Sequence, residues 1–83
     1  EISWHPDGQQ LAVGVGQDLY LYPLRHEFGW AGTIVCRGHQ AGVVYVGWHP
    51  TLPLVASSAH DGTTIFWDAR AGRRLMTVPG HFK

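Results

Sequence analysis

The residues of this chain that could do chemistry are first of all its histidines. Six His and one Cys stand among 83 residues, and imidazole and thiolate groups are common metal ligands. The sequence has no His-x3-His or Cys-x2-Cys spacing that would place two ligands together. Two of the six, His5 and His49, stand in the same tripeptide, Trp-His-Pro. We therefore expect no metal site and no cofactor.

A second hypothesis for the histidines is that one of them belongs to the catalytic site of a hydrolase. His39, Asp61 and Ser57 include the three residue types of a catalytic triad, but a triad is defined by geometry and roles. The Gly-x-Ser-x-Gly sequence of a nucleophile elbow is absent from the chain. We therefore expect no catalytic residues, and we expect that the protein is not an enzyme.

The elements that carry these residues are repeated. Trp4-His5-Pro6 recurs as Trp48-His49-Pro50, 44 residues later, and Gly38-His39 recurs as Gly80-His81, 42 residues later. A unit of a little over forty residues is thus present about twice. Such a period is typical of repeat architectures such as propellers and solenoids.

Within each unit the sequence predicts short strands separated by turns. Apolar and β-branched runs alternate with Gly, Pro and Asp signals, such as Pro6-Asp7-Gly8 and Asp61-Gly62. The predicted strands cover 10–15, 18–22, 33–36, 43–48, 54–58, 63–67 and 75–78. The sequence therefore predicts an all-β fold.

The second unit resembles the WD-repeat family along its whole length. The motifs that carry the resemblance are, in order, Gly38-His39, Trp48-His49-Pro50, Val55-Ala56-Ser57-Ser58, Asp61-Gly62-Thr63 and Trp67-Asp68. The resemblance implies a β-propeller fragment made of four-stranded antiparallel blades. It covers nearly the whole chain, with one complete unit.

The resemblance also implies a division of the chain. Residues 1–37 would be a degenerate blade that lacks its start, because Tyr22-Pro23 stands where the family has Trp-Asp and the turn at Gly16-Gln17-Asp18 is a residue shorter. Residues 38–79 would be a complete WD-repeat blade, and 80–83 the start of a following blade. A propeller ring has about four to eight blades, so we expect the chain to be part of a larger propeller.

In the family, a histidine, a serine or threonine, an aspartate and a tryptophan form a structural tetrad. On this chain the resemblance implies that the tetrad is His39, Ser57, Asp61 and Trp67, in which the histidine bonds to Asp61 and to the serine that accepts from the indole. Strand alternation leaves Ser58 as the alternative to Ser57.

Function is expected to be noncatalytic protein–protein interaction, as a scaffold. In the family, loops on one face of the ring bind partners, which here implies Arg37, Gln40, Ala41, His60 and Pro79. A second candidate surface is the loop that carries Phe28 and Trp30, because exposed aromatic residues often mark interfaces. The alternative for that loop is that it covers the edge of the degenerate blade.

The overall composition bounds the partners. Six Lys and Arg balance six Asp and Glu, which argues against nucleic acid, and no apolar stretch is long enough for a membrane span. Cys36 has no second cysteine to pair with, which favours an intracellular setting, with cytoplasm or nucleus left open. We expect other proteins or peptides, and the remaining blades of the same propeller, as partners. Two alternatives stay open: a regulatory or sensor propeller attached to a signalling enzyme, and a nucleic-acid-binding propeller.

Overall fold

The chain forms eight short β-strands. The computed structural model describes residues 1–23 and 33–79, and all regular elements in these ranges are strands. They are β1 (Ile2–Trp4), β2 (Gln10–Val15), β3 (Asp18–Pro23), β4 (Ile34–Arg37), β5 (Val43–Trp48), β6 (Leu54–Ala59), β7 (Thr64–Asp68) and β8 (Arg73–Val78). The all-β prediction is confirmed.

The strands make two separate antiparallel sheets. The first has the order β1-β2-β3-β4 and the second the order β5-β6-β7-β8. Within each sheet, each strand therefore pairs with its neighbour in sequence, as antiparallel strands joined by direct connections do. We call these sheets the first blade and the second blade. No helix in the described part of the chain is long and apolar enough to cross a membrane.

The last strand begins two residues earlier than the sequence predicts. The amides of Ala71 and Gly72 both donate to the carbonyl of Asp68, at 3.3 and 2.7 Å. This tight turn brings Arg73 directly opposite Asp68. Pairing of the backbone does not depend on side-chain polarity, so two arginines extend an otherwise apolar strand.

The core lies between the two blades. In β3, Leu19 and Leu21 are buried, whereas Tyr20 and Tyr22 on the opposite face are only partly covered. Because side chains alternate along a strand, one face of the first blade packs against the second. The buried apolar residues are Ala12, Leu19, Leu21, Cys36, Val46, Val55, Ile65, Trp67 and Ala69.

The blades approach so closely that one contact requires glycine. A Cβ atom at Gly14 would lie 2.7 Å from Cγ1 of Val43 across the interface. The backbones are also joined, because the Val43 amide donates to the Gly16 carbonyl at 2.7 Å. Close packing of this kind fixes the position of one blade on the other.

A second close approach lies at the other end of the blades. Gly72 has a φ of 72°, in the left-handed region that favours glycine. A Cβ atom there would run into Cγ2 of Ile34 in the first blade. The turn between β7 and β8 is therefore seated against the neighbouring blade.

Candidate functional site

A buried hydrogen-bond network joins three elements of the second blade. His39 lies in the connection before β5, Ser57 on β6 and Trp67 on β7. The Trp67 indole Nε1 donates to Ser57 Oγ at 2.8 Å, and His39 Nε2 lies 2.6 Å from the same oxygen. The Ser57 hydroxyl thus links the connecting loop to the sheet.

All three members are removed from water. Ser57 is 0% exposed and Trp67 is 1% exposed, and the His39 and Trp67 rings meet edge to face with centroids 6.2 Å apart. Buried polar groups stabilise a fold only when they are hydrogen-bonded. The Ser57 oxygen provides partners for both rings.

Asp61 does not take part as the resemblance implies. Its Oδ1 instead accepts from the Thr63 amide at 3.0 Å and from the Thr63 hydroxyl at 2.7 Å. His39 Nδ1 is buried and has no hydrogen-bond partner in the described part of the chain. The expected His39–Asp61 bond is therefore not formed, because the short aspartate side chain bonds within its own turn.

The charge of Asp61 still acts on the histidine. Burial lowers the pKa of His39 from its ordinary value of 6.5, and the nearby charge of Arg74 lowers it further, while Asp61 opposes both. Burial dominates because the charged imidazolium loses its hydration. His39 therefore resists protonation in the folded chain.

The structure distinguishes between the two serines. Ser58 Oγ lies 2.9 Å from Thr64 Oγ1, and strand alternation places it on the face opposite to Ser57. Ser57, and not Ser58, is hydrogen-bonded to His39 and Trp67. This alternative was open in the sequence because the register of β6 was uncertain by one residue.

The trio of hydrolase residue types is not assembled as a triad. The Ser57 hydroxyl is fully buried and accepts the indole proton, and the Asp61 carboxylate bonds to Thr63 and not to His39. A nucleophile must reach its substrate, and its base must be oriented by a third group. Within the described residues, no group of three or more His, Cys, Asp or Glu side chains is placed to hold a metal ion.

The five residues expected on the partner-binding face lie at one end of the blades. Arg37 ends β4 opposite Asp18, the first residue of β3, and Val78 pairs with Thr64 at the start of β7. We call this the upper end, formed by residues 16–17, 37–42, 60–63 and 79. Exposed there are Arg37, Gln40, His60 and Pro79, while Ala41 is partly buried.

Backbone hydrogen bonds hold the upper end together. The His60 amide donates to the Gly42 carbonyl at 2.9 Å. Val43, which follows Gly42, donates its amide to the carbonyl of Gly16 in the first blade. Arg37 also lies 3.8 Å from the Asp18 carboxylate. Three connections from two blades thus form one surface. Phe28 and Trp30 lie outside the described residues, as do residues 80–83.

Sequence reasoning missed two features. Arg74 lies over the start of the buried network, with its Nη1 3.5 Å from the Cβ position of Gly38. A register shift between Phe66 and Trp67 places Arg74 opposite Trp67, and no residue pattern announces that shift. The second feature is a groove of about 790 Å³ on the outer face of the second blade, lined by residues such as Tyr45 and Thr64.

Two four-stranded antiparallel meanders, packed face to face and each carrying a Trp-His-Pro turn, are blades of a β-propeller. Residues 32–68 match the family described as WD domain, G-beta repeat. Together with the relatives below, this match shows that the chain belongs to the WD-repeat family.

Relatives and solved structures agree with this assignment. The ribosome biogenesis protein ERB1 of Coprinopsis cinerea is 37% identical over 75 residues, which are 90% of this chain and 10% of that protein. The U4/U6 small nuclear ribonucleoprotein PRP4 of Saccharomyces cerevisiae is 30% identical over 82 residues, 95% of this chain and 18% of that protein. A chain of the outer coat vertex of COPII on membranes has a TM-score of 0.78 at 25% identity, covering 95% of this chain and 22% of that one. The chain therefore spans less than a fifth of the length of the curated relatives it matches.

Proposed function

We propose that the chain is a noncatalytic scaffold for protein–protein interaction, and that its upper end is the surface that partners recognise. One observation carries this proposal. Connections from both blades are tied together by backbone hydrogen bonds, while the side chains of Arg37, Gln40 and His60 stay exposed. Loops held by a rigid scaffold are where recognition is usually built.

The chemistry of the exposed side chains supports a protein or peptide partner. Arg37 is joined to Asp18 by a 3.8 Å ion pair whose arginine side chain is 72% exposed. Such exposed pairs are weak, so the five-donor guanidinium is free to bond with a partner at small cost. Ala41 and Pro79 add small apolar contacts beside it.

The names of relatives point in the same direction. One similar protein is subunit 1A of the actin-related protein 2/3 complex of Arabidopsis thaliana, 29% identical over 74% of this chain. Another is a component of the U4/U6 small nuclear ribonucleoprotein. By analogy, we propose that this chain serves inside a cell as part of a larger assembly, with other proteins or peptides and further blades of the same propeller as partners.

The two candidate surfaces are tested against each other with paired variants. One variant combines Arg37→Glu with His60→Ala, and the other combines Phe28→Ser with Trp30→Ser. The parent chain and both variants are used as baits in portions of the same cell extract. The proteins that each bait captures are quantified by mass spectrometry. We expect the amount of captured partner proteins to fall at least tenfold for the Arg37 and His60 variant. The Phe28 and Trp30 variant should capture the same partners in the amounts that the parent chain does.

Circular dichroism of both baits is the control for folding. The proposal for the upper end is wrong if only the aromatic variant loses the partners while both variants keep the β-sheet spectrum. It is equally wrong if the Arg37 and His60 variant captures the same proteins in the same amounts as the parent chain.

A further inference from the structure

The last strand of the second blade is its least covered element. All six residues of β8 are exposed, and among the described strands β8 stands at the edge of its sheet, paired with β7. A shift of register between Phe66 and Trp67 leaves Leu75 without a partner in the ladder, and a bulge of this kind disrupts strand pairing locally. Segments with few buried contacts open most readily, so β8 is the strand of this blade that an enzyme can most easily engage.

This strand also carries a basic pair followed by a hydroxyl group. Arg73 and Arg74 open β8, and Thr77 stands three residues after Arg74. No other serine or threonine of the sequence has an arginine or lysine three residues before it. Protein kinases distinguish their substrates partly by the charges beside the acceptor, and many select an arginine at this spacing. The sequence of β8 is therefore that of a substrate for a kinase with basic specificity.

The bulge places Arg74 and Thr77 on the same face of the sheet. Arg74 is opposite Trp67, and Thr77 is opposite Ile65. Trp67 and Ile65 are two positions apart on β7, so their side chains and those of their partners point to one side. In an even strand, Arg74 and Thr77 would point to opposite sides. With the bulge, the two positions are separated by about 7 Å along the strand, which an arginine side chain can span.

The face that carries Thr77 is open to solvent. Thr77 is exposed, whereas Ile65 across the ladder is buried in the core that the two blades share. This side of β8 is therefore turned toward the first blade, which the structure contains. The exposure of Thr77 does not depend on what packs against the opposite side of the second blade.

Arg74 carries a charge that the fold leaves unpaired. The ion pairs of the described residues are made by the side chains of His5, Arg37 and Arg70, and Arg74 belongs to none of them. Its Nη1 instead lies 3.5 Å from the Cβ position of Gly38, over the connection before β5. A guanidinium can hold a phosphate through two parallel hydrogen bonds, so Arg74 is available as a partner for an anion on its own strand.

We propose that Thr77 is a phosphorylation site for a protein kinase of basic specificity, and that Arg74 holds the resulting phosphate. The kinase transfers the γ-phosphoryl group of ATP. A bond forms between phosphorus and Thr77 Oγ1, the bond between phosphorus and the leaving oxygen of ADP breaks, and the hydroxyl proton passes to the catalytic aspartate of the kinase. The phosphothreonine carries a charge of about −2 and three acceptor oxygens, on the face where the Arg74 guanidinium lies.

The phosphate would also act on the buried network of the second blade. Pairing with it moves Arg74 away from Gly38, and the charge of Arg74 is one of those that lower the pKa of His39. A negative charge on β8 takes its place, so phosphorylation should raise the pKa of His39. Neither effect requires a partner at the upper end, so the site can be tested separately from the scaffold function.

The site is tested with a kinase of known specificity. The chain is incubated with ATP, Mg²⁺ and the catalytic domain of calmodulin-dependent protein kinase II, which selects an arginine three residues before its acceptor. The variants are Thr77→Val, which keeps the β-branched shape, and Arg74→Gln, which removes the selected charge. Thr51→Ala is the matched control, because Thr51 is also exposed but has Trp48 three residues before it. Mass spectrometry locates the phosphate and measures the rate of its incorporation.

We expect one phosphate per chain, on Thr77, in the parent chain and at the same rate in Thr51→Ala. Arg74→Gln should be modified about tenfold more slowly, which corresponds to the loss of one charged recognition contact, and Thr77→Val should stay unmodified. Three results would overturn the proposed site. They are a phosphate elsewhere in the parent chain, no phosphate in a parent chain that shows β-sheet circular dichroism, and equal rates for the parent chain and Arg74→Gln.

Phosphorus NMR tests the pairing of the phosphate with Arg74. A guanidinium partner lowers the second pKa of the phosphate, which is about 6 without one. The phosphate of the parent chain should therefore lose its last proton at lower pH than that of Arg74→Gln, prepared by longer incubation. Arg73→Gln is the control, because Arg73 lies opposite Asp68 at the far end of β8, and it should titrate as the parent chain does.

Two results would overturn the role of Arg74. One is a phosphate that titrates alike in the parent chain and in Arg74→Gln. The other is a pKa of His39, followed through its ring protons, that phosphorylation of the parent chain leaves unchanged.

Discussion

The two blades share one sheet topology but are held by different interactions. In the described part of the first blade, the fully buried side chains are apolar ones such as Leu19, Leu21 and Cys36. In the second blade, Ser57 and Trp67 are as deeply buried and are joined by a hydrogen bond. Four antiparallel strands therefore form in both blades, although only the second has the buried hydrogen bond between Ser57 and Trp67.

The difference can be followed position by position. Val13 lies opposite Tyr20 where the second blade has Ser57 opposite Ile65, and Tyr22 occupies the place of Trp67. The network is thus not needed to pair strands. What it adds is a link from the sheet to the connection that carries His39, and through it to the upper end. We infer that the network positions a loop and that apolar packing holds the strands.

The largest expected effect on stability comes from replacing the equivalent aromatic residues of the two blades, Trp67 and Tyr22. Trp67→Ala removes a fully buried side chain and should lower the free energy of unfolding by about 3–5 kcal/mol. Tyr22→Ala should cost less than half as much, because Tyr22 is only partly covered. Urea unfolding followed by circular dichroism at one protein concentration measures both. Equal losses would show that the two blades contribute alike.

The second prediction compares the two neighbouring serines of β6. Ser57→Ala leaves the Trp67 indole and the His39 ring without their shared partner and should cost about 1–3 kcal/mol. Ser58→Ala leaves only the Thr64 hydroxyl unpaired and should cost about 1 kcal/mol or less. The same urea titration applies. A larger loss for Ser58→Ala would mean that the network contributes little.

The smallest expected effect is a dependence of stability on pH that the second blade contributes through His39. Because burial lowers the pKa of His39 below 6.5, the unfolded chain binds the proton more readily than the folded chain. The stabilising contribution is therefore complete above about pH 6.5 and is lost as the pH falls through the folded-state pKa. In the His39→Gln variant, the midpoint of urea unfolding should therefore depend less on pH in this range than it does in the parent chain.

A charge variant sharpens the same measurement. Asp61→Asn removes the negative charge that raises the pKa of His39, so the loss of stability should still begin near pH 6.5 but extend to lower pH and become larger. An unchanged profile for Asp61→Asn would show that the carboxylate does not act on the ring. A profile of His39→Gln identical to that of the parent chain would place the titrating group elsewhere.

The repeat and its motifs were sufficient to predict the fold. The Trp-His-Pro and Gly-His spacings indicated two units, and seven of the eight strands are found close to where short apolar runs predicted them, whereas β1 was not among the predicted strands. Two strands, β2 and β5, have the predicted bounds. The assignment of 80–83 to a following blade stays a prediction, because those residues lie outside the described part of the chain.

The candidate site could be predicted only in its residue types. The sequence identified His39 and Trp67 but not which serine joins them, since a shift of one residue moves a side chain to the opposite face. It also placed Asp61 on His39, whereas the carboxylate bonds to Thr63. The Asp61 carboxylate could accept from His39 or from Thr63, and the spacing of residues in the sequence does not show which of these two partners it takes.

The seating of Gly72 against the first blade also has a consequence for handling the protein. Its turn joins β7 to β8 but is pressed onto Ile34, so an epitope or a fluorophore inserted there would push the blades apart. The turn at Gly8 has the same left-handed backbone, yet nothing lies within 4 Å of its Cβ position. Of these two glycine turns, the one at Gly8 offers a place where foreign residues can be grafted, and the one at Gly72 does not.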